Sequence, residues 1–206
     1  MYFLSRELIE ESGIADPEVA QRLIERTFNQ KGKGSAVSAQ EVAMAAGARE
    51  AGAFYSLPAY LEEERIAGLK WTSHVPQQTP GIPYTQPVIL LNELNTGRPL
   101  ALLEGELISG LRTGAVSATA IKVLATSEAS SLLLCGSGFQ AGHQLRSVVP
   151  FLPNLKEVHV WSRTRQHAEM LVERNAVFLE GRGIRPWVHE SLPERLDFAE
   201  VVIGAT

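Results

Sequence analysis

The stretch from Ser131 to Thr164 constrains the fold of this chain more than any other part of it. A short apolar run, Ser131–Cys135, stops at Gly136, and a second apolar run follows over residues 157–162. Between the two runs, apolar residues recur at helical spacing: Leu145, Val148 and Val149. This order predicts strand, tight glycine turn, helix and strand, which is the beginning of a Rossmann-type parallel α/β sheet.

The turn after the first run has the G-x-G-x-x-A spacing that is typical of a dinucleotide-binding loop. Its first glycine permits a sharp turn, its second lets a pyrophosphate approach the backbone, and its alanine lets the helix pack closely on the strand. The anion would then lie on free N–H groups at the helix N-terminus. An ordinary strand–turn–helix without a ligand is the alternative, but the flanking strands favour a dinucleotide loop. The predicted loop residues are Gly136, Ser137, Gly138, Phe139, Gln140 and Ala141.

The end of the second strand indicates which cofactor is preferred. NAD-binding proteins place an acidic residue there for the ribose hydroxyls, whereas NADP-binding proteins supply an arginine for the 2′-phosphate. Trp161 is followed by Ser162, Arg163 and Thr164, with no carboxylate among them. Arg163 is a candidate for the 2′-phosphate or for stacking on adenine, although a surface arginine after a strand is the simpler alternative. The pattern favours NADP(H), and NAD(H) is possible.

Two further strands are expected after this unit, one over residues 184–188 and one over residues 199–206. Pro186 cannot donate to a sheet ladder, which places the first of them at an edge, as the strand order 3-2-1-4 requires. Residues 113–206 are therefore interpreted as the first mononucleotide half of a Rossmann domain. The second half would lie beyond residue 206.

Residues 1–112 predict a mixed α+β domain for substrate binding or dimerisation. Asp16 and Pro17 are a helix start, with a capping side chain and a proline in the first turn. Strands are expected over residues 53–58, closed by proline, and 65–72, and Ser109 is the candidate cap of a following helix. A hairpin should join strands at 88–91 and 100–103. The first helix should bury Val19, Ala20, Leu23, Ile24, Thr27 and Phe28.

Composition excludes several classes of function. The 206 residues carry a net charge of −4 without a basic block, which gives nucleic-acid binding no electrostatic support. Cys135 is the single cysteine and lies in an apolar run, so a buried, unreactive thiol is expected. Charge comes too early for a signal peptide, and no apolar run reaches the roughly 20 residues of a membrane span. A cytoplasmic protein without membrane or nucleic-acid partners is predicted.

Several spaced motifs resemble those of the ornithine cyclodeaminase/mu-crystallin family. Residues 96–105 resemble its TG-x-P-L-A-L-x-(D/E)-G hairpin, residues 108–118 its (L/I)-(T/S)-x-x-R-T-A-A-x-S-A helix start, and residues 134–141 its I-G-x-G-x-Q-A loop. Residues 57–60 and 68–70 resemble its M-P-A-Y and lysine segments, and residues 161–164 are close to the W-N-R-T of mu-crystallin, which uses NADPH. Weaker similarity points to a subgroup that makes 2,3-diaminopropionate by oxidising an amino-acid–glutamate adduct.

The resemblance implies an NAD(P)-dependent oxidoreductase that acts on the C–N bond of an amino acid or cyclic imine, as a homodimer. Arg112 and Thr113 would contact the cofactor phosphates, and Thr206 would lie under the cofactor. Lys70 would bind the substrate carboxylate or the reacting imine. The residues of the glycine loop would hold the pyrophosphate, and those after Trp161 would lie at the adenosine ribose.

The sequence also departs from the family pattern. Counting back from Leu57 to the family's substrate-binding arginine reaches Val42, with Arg49 as the nearby replacement. Tyr84, with Thr85 beside it, stands where the family has a serine or threonine near the nicotinamide. The family's catalytic aspartate is expected beyond residue 206. These departures leave two alternatives to an enzyme: a protein that binds NADP(H) and a small ligand without turnover, and an inactive fragment.

Overall fold

The structure is a computed structural model, and it describes residues 1–45, 52–74, 82–83, 85–192 and 196–206. The chain divides into two compact units, Met1–Ser109 (unit 1) and Gly110–Thr206 (unit 2). Unit 1 is built on a mostly antiparallel sheet and unit 2 on a parallel sheet, which confirms the predicted α/β class.

Unit 1 contains a sheet in which the described residues form seven strands. The elements are β1 (Tyr2–Leu4), α1 (Arg6–Glu11), α2 (Pro17–Lys33), β2 (Ala36–Ser38), β3 (Val42–Ala45), β4 (Ala53–Leu61), β5 (Ile66–His74), β6 (Val88–Glu93) and β7 (Pro99–Glu104). The strand order is β1-β7-β6-β5-β4-β2, with β3 paired to β4. The β6–β7 hairpin confirms the predicted one, and β1 adds to β7 in parallel.

Strand β4 continues through Pro58, where the sequence predicted that it would end. The carbonyl of Pro58 accepts a hydrogen bond of 3.0 Å from the Ala39 N–H. The N–H and C=O of a strand residue point to the same side, so the missing donor of Pro58 faces the junction between β2 and β3. There β2 stops pairing at Ala59 and β3 starts at Ser56, so no ladder donor is needed. The proline is tolerated because it coincides with this change of partner strand.

Helix α2 begins as predicted, but its predicted inward face is buried only in part: Ala20 is buried, and Val19, Ile24 and Thr27 are partly buried. The Asp16 carboxylate accepts hydrogen bonds from the N–H groups of Glu18 (2.8 Å) and Val19 (3.1 Å), and Gly34 ends the helix in the left-handed region at φ +83°. Leu23 and Phe28 of the predicted inward face are 45% and 47% exposed. The buried residues of the helix are Ala20, Gln21 and Gln30.

Helix α3 (Glu106–Leu124) begins three residues earlier than the predicted cap at Ser109. The Glu104 carboxylate, at the end of β7, accepts hydrogen bonds from the N–H groups of Glu106 and Leu107, the latter at 3.3 Å. This cap favours the earlier start because a negative charge also complements the helix dipole. By length and composition alone α3 is long and apolar enough to cross a membrane. However, Ala115 and Ala118 are fully buried, so one side of the helix packs against the protein.

Unit 2 contains a sheet whose four described strands are parallel. The elements after α3 are β8 (Ser131–Cys135), α4 (Phe139–Val148), β9 (Glu157–Trp161), α5 (Arg165–Arg174), α6 (Ala176–Glu180), β10 (Arg185–His189) and β11 (Val201–Gly204). The strand order is β10-β9-β8-β11, which is the predicted 3-2-1-4 order, with Pro186 on the edge strand β10. The helices pack on a face formed by fully buried residues such as Leu132, Leu134, Val158 and Val160.

Candidate functional site

The carboxyl ends of the parallel strands converge at Gly136, directly after β8. Its N–H donates to the Trp161 carbonyl over 2.7 Å, and its φ is +130°, which L side chains rarely adopt. A Cβ at this position would lie 2.1 Å from the Ala205 carbonyl oxygen and 3.1 Å from the Thr206 nitrogen. Gly136 therefore lets β8, β9 and β11 approach each other, and it brings the predicted residue Thr206 to the loop.

Gly138 immediately precedes α4 and faces open space. It lies in the extended region (φ −77°, ψ −169°), and no described heavy atom comes within 4 Å of where a Cβ would be. No side chain in the described structure caps this helix. Since the first N–H groups of a helix need acceptors, this uncapped N-terminus is suited to a phosphate.

Ser137 and Ser162 join the glycine loop to the tip of the second strand. Their hydroxyl oxygens are 2.8 Å apart, so one hydroxyl donates to the other. The pair thereby brings together two predicted cofactor-binding segments. One hydroxyl hydrogen of the pair remains available for a third group, so the pair can still donate to a phosphate or a ribose.

Two arginines beside this tip differ in their surroundings. Arg165 is held by carboxylates, with its Nε 2.8 Å from Glu169 and its guanidinium also bonded to Glu190. The hydrogen bond with Glu169 and the charge of Glu190 raise the pKa of Arg165 above its ordinary value. Arg163, by contrast, is exposed and makes no side-chain hydrogen bond or ion pair with the described residues. Of these two arginines, Arg163 is therefore the one that remains available for a ligand, as judged from the part of the chain that the structure describes.

Arg112 and Thr113 lie on α3, on the turn between Gly110 and Gly114. The Arg112 guanidinium forms no ion pair with any residue that the structure describes, and desolvation lowers its pKa from the ordinary value while it stays charged at neutral pH. The Thr113 carbonyl accepts from the Gln144 side chain of α4 at 3.4 Å. Both residues thus belong to a helix that contacts the helix of the glycine loop.

Three other residues near the loop, Gln140, Cys135 and Phe139, differ in how well they could contact a ligand. The Gln140 side-chain oxygen is buried without a hydrogen-bond partner among the described residues, as expected where a donor from a ligand or water is required. Cys135 is partly buried, and desolvation raises the pKa of its thiol. This agrees with the expected unreactive thiol. Phe139 is 44% exposed and contacts the His143 ring edge-on, with the ring centroids 4.6 Å apart.

Lys70 lies in unit 1, on β5. It is paired in register with Leu57 of β4 on one side and Ile89 of β6 on the other. The register therefore places the two predicted motif segments, 57–60 and 68–70, side by side. Lys70 is partly buried, and both of its register neighbours are apolar.

The expected substrate-binding arginine is replaced by an exposed apolar residue. Val42 is 60% exposed and pairs with Ser56 of β4. Arg49, the nearby replacement, and Tyr84, the residue expected near the nicotinamide, lie outside the described residues.

Sequence reasoning missed the residues that hold α3 against α4. They are Gly110, Gly114, His143, Gln144 and Ser147. The G-x-x-x-G spacing of residues 110–114 was the available signal, because it places two glycines on one helix face. It also missed the pairing of Arg165 with Glu190, which lies 25 residues away in the chain.

Among the described residues, unit 2 has a parallel sheet with a glycine turn after its first strand, a helix start without a side-chain cap and an arginine without an ion pair after its second strand. These features are typical of dinucleotide-binding α/β proteins. The sequence model of the ornithine cyclodeaminase/mu-crystallin family matches residues 2–206. The chain belongs to this family.

Individual relatives agree with this assignment. The chain is 31% identical over 155 residues to the NAD(P)H-dependent anabolic L-arginine dehydrogenase DauB of Pseudomonas aeruginosa, covering 75% of this chain and 46% of that protein. Thermococcus litoralis Δ1-pyrroline-2-carboxylate reductase, in complex with NADH and L-proline, superimposes on all of the chain with a TM-score of 0.89 at 30% identity. An archaeal alanine dehydrogenase dimer with bound NAD covers 92% of the chain at a TM-score of 0.80 and 28% identity.

The chain is shorter than these relatives. It spans less than half of the curated relatives' length and 62% and 56% of the two solved chains. The relatives bind NAD(H) or NAD(P)H and act on amino acids or imines.

Proposed function

We propose that this chain is part of an NADP(H)-dependent oxidoreductase that acts on the C–N bond of an amino acid or cyclic imine. The observation that carries the proposal is the junction at Gly136, where three strand ends meet below an uncapped helix N-terminus. A bound nicotinamide dinucleotide would supply or accept the hydride at the carbon of the C–N bond.

The residues of unit 2 would hold the cofactor. The N–H groups of the first turn of α4 would bind the pyrophosphate, with the open space over Gly138 letting the phosphate approach. Gln140 Oε1, which lacks a partner among the described residues, would accept a hydrogen bond from the ligand or a bound water. Arg112 would place a positive charge beside the phosphates, with Thr113 on the same turn.

Preference for NADP(H) over NAD(H) follows from the charges at the strand tip. No carboxylate stands between Trp161 and Arg165 to accept from ribose hydroxyls, while Arg163 is unpaired among the described residues. A 2′-phosphate could accept from both the Arg163 guanidinium and the hydroxyl pair of Ser137 and Ser162.

Lys70 would hold the substrate carboxylate. Lys70 is partly buried between Leu57 and Ile89 of the neighbouring strands, and an ion pair is stronger in a partly desolvated position than in open water. The acid or base that moves the substrate proton is not assigned to any described residue.

Binding without turnover is the second candidate, and Val42 favours it. The exposed Val42 side chain cannot pair with a carboxylate, so Lys70 would hold the substrate without a second cation from this strand. In the whole protein, a panel of amino acids and cyclic imines should separate the two candidates by cofactor oxidation or reduction at 340 nm. Turnover that Lys70→Met abolishes, without loss of NADPH binding, supports the enzyme; binding without any turnover supports the second candidate.

The sheet of unit 1 supports homodimerisation. One face of this sheet is apolar and exposed, as at Phe3 (65%), Val42 (60%) and Met44 (54%). An exposed apolar face of this kind is typical of an interaction surface. We take a second copy as its occupant because the related alanine dehydrogenase is a dimer. A cytoplasmic location, as expected from the sequence, completes the proposal.

The cofactor proposal is tested by titrating tryptophan fluorescence with NADPH and, separately, NADH, since Trp161 ends the strand at the predicted adenosine site. Arg163→Gln should weaken NADPH binding roughly tenfold or more and leave NADH binding unchanged, because it removes a charge-assisted hydrogen bond. Arg165→Gln is the matched control, since Glu169 and Glu190 already occupy that guanidinium. Equal losses in both variants, or no binding by the unmodified chain, would contradict the proposal.

A further inference from the structure

Helices α3 and α4 touch along a seam formed by Gly110 and Gly114 of α3 and His143 and Ser147 of α4. A Cβ on Gly110 would lie 2.4 Å from His143 Cδ2 and 2.6 Å from His143 Nε2. A Cβ on Gly114 would lie 2.2 Å from Ser147 Oγ, 2.7 Å from Ser147 Cβ and 2.8 Å from the His143 carbonyl oxygen. Contacts this short leave no room for even one added carbon atom.

The seam fixes both the distance and the rotation of α3 against α4. Gly110 and Gly114 are four residues apart and therefore lie on one face of the helix. A third contact, from Gln144 Nε2 to the Thr113 carbonyl at 3.4 Å, lies beside the two glycines. Because Arg112 and Thr113 belong to the turn between the glycines, any shift or roll of α3 moves them together.

The partner helix is the one that follows the glycine loop. His143 and Ser147 lie one and two turns after Phe139, the first residue of α4. The His143 ring also contacts Phe139 edge-on, which links the seam directly to the loop.

We propose that the seam of Gly110, Gly114, His143 and Ser147 positions Arg112 and Thr113 for the nicotinamide-side phosphate of the cofactor. The four are positioning residues that act through Arg112 and Thr113 and do not touch the ligand. This inference rests on the proposed function, since it presumes that the loop holds a dinucleotide. The distance between α3 and α4 then affects how tightly the whole dinucleotide binds. The adenosine end is bound separately, by Ser162 and Arg163.

The test compares two ligands on the same variants. NADPH spans both ends of the site, whereas adenosine 2′,5′-bisphosphate lacks the nicotinamide-side phosphate. Gly110→Ala and Gly114→Ala should weaken NADPH binding by about 10- to 100-fold, as expected for a displacement of about 1 Å, and change the affinity for the bisphosphate less than about twofold. Alanine is the better helix former, so the loss cannot come from helix propensity.

Second-site changes sharpen the test. His143→Ala removes every heavy atom that crowds a Cβ on Gly110 within the stated distances, so the double variant Gly110→Ala/His143→Ala should regain most NADPH affinity. Ser147→Ala should not rescue Gly114→Ala, because the Ser147 Cβ and the His143 carbonyl oxygen remain. Gly142→Ala is the matched control on α4. Among the described residues its Cβ would meet only Leu171 Cδ1, at 3.7 Å, and the Gly142 N–H already donates to the Gly138 carbonyl, so both ligands should bind as before.

The outcomes are distinct. Loss of NADPH binding with retained bisphosphate binding, and rescue at Gly110 alone, supports the positioning role. Equal loss of both ligands would overturn it, because a general loss of structure weakens both, and so would unchanged NADPH binding in the two glycine variants. If the unmodified chain binds the bisphosphate but not NADPH, the positioning role falls. If it binds neither, the proposed function falls and the inference with it.

Discussion

Units 1 and 2 both contain a sheet, but they bury it to very different degrees. In unit 2, Leu132, Leu133, Leu134, Val158 and Val160 on two adjacent strands are fully buried. In unit 1, strands β3 to β6 contain no buried residue among those that the structure describes. Antiparallel sheets often expose one face, but that face is usually polar. Unit 2 thus covers its sheet with its own helices, whereas unit 1 leaves apolar residues of its sheet exposed, which is why we propose a second copy as the cover.

The largest effect should come from the core of unit 2. Leu134→Ala should lower the free energy of unfolding of unit 2 by about 2–5 kcal/mol, because a fully buried leucine leaves a cavity. Leu90→Ala, in half-buried β6 of unit 1, should cost about half as much. Hydrogen exchange measured peptide by peptide separates the two units. Equal losses in the two variants would remove the contrast between the sheets.

The next effect concerns the exposed face of unit 1. Met44→Asp places a charge on that face and should shift a dimer toward monomers, since a buried unpaired carboxylate is costly at an interface. Sedimentation velocity over a concentration series measures the change. Val177→Asp, at a position that is 86% exposed in unit 2, is the control and should leave the association unchanged. A monomer in both the unmodified chain and the variant would contradict a second copy as the occupant of this face.

The same contrast between the two sheets explains how much of each unit could be predicted from the sequence. In unit 2 the strand order and the edge position of Pro186 were predictable, because adjacent strands and glycine turns lie close together in the chain. In unit 1, the parallel pairing of β1 with β7 joins residues about a hundred positions apart. The burial of Gln30 likewise depends on Glu63 and Glu64, which bind its amide at 2.9 and 3.0 Å. A helical hydrophobic pattern holds no information about such partners.

The candidate site follows the same rule. The glycine loop and the strand tip could be predicted because each is a local motif. The start of α3 could not, since its cap is the carboxylate of Glu104, which belongs to the preceding strand. For the α3–α4 seam, the glycine spacing of residues 110–114 is a local signal, but the partners His143 and Ser147 are not predictable from it, because they depend on how two helices separated by β8 pack together.

The two units should respond to acid in different pH ranges. Burial, and then the neighbouring charge of His189, lower the pKa of His159 in unit 2 below its ordinary value of 6.5, although Glu157 opposes this. The unfolded chain therefore binds the proton more readily, so this contribution to stability is complete above about pH 6.5 and decreases as the pH falls below it. In unit 1, hydrogen bonds from Thr96 lower the pKa of Glu93 to about 2, so its contribution is lost only below about pH 4.5.

Hydrogen exchange at a series of pH values checks this order. Unit 2 should lose protection first on acidification, beginning near pH 6.5, while unit 1 should hold until the carboxyl range. His159→Gln should remove the early loss in unit 2 and leave unit 1 unchanged. If unit 2 of the His159→Gln variant still loses protection near pH 6.5, a titratable group other than His159 causes that loss.

The smallest expected effect compares the starts of two helices. The Asp16 side chain caps α2 in unit 1, whereas α4 in unit 2 starts at Gly138 without a side-chain cap. Gly138 has φ −77° and open space around a Cβ, so Gly138→Ser should fit and stabilise unit 2 by a few tenths of a kcal/mol. The same hydroxyl would occupy the N–H groups and the space that a pyrophosphate requires. We therefore expect a slightly higher melting temperature together with weaker NADPH binding, measured on the same sample by thermal melt and fluorescence titration. Such a gain in stability at the expense of binding would show that the uncapped helix start serves the ligand, whereas unchanged binding would place the phosphate elsewhere.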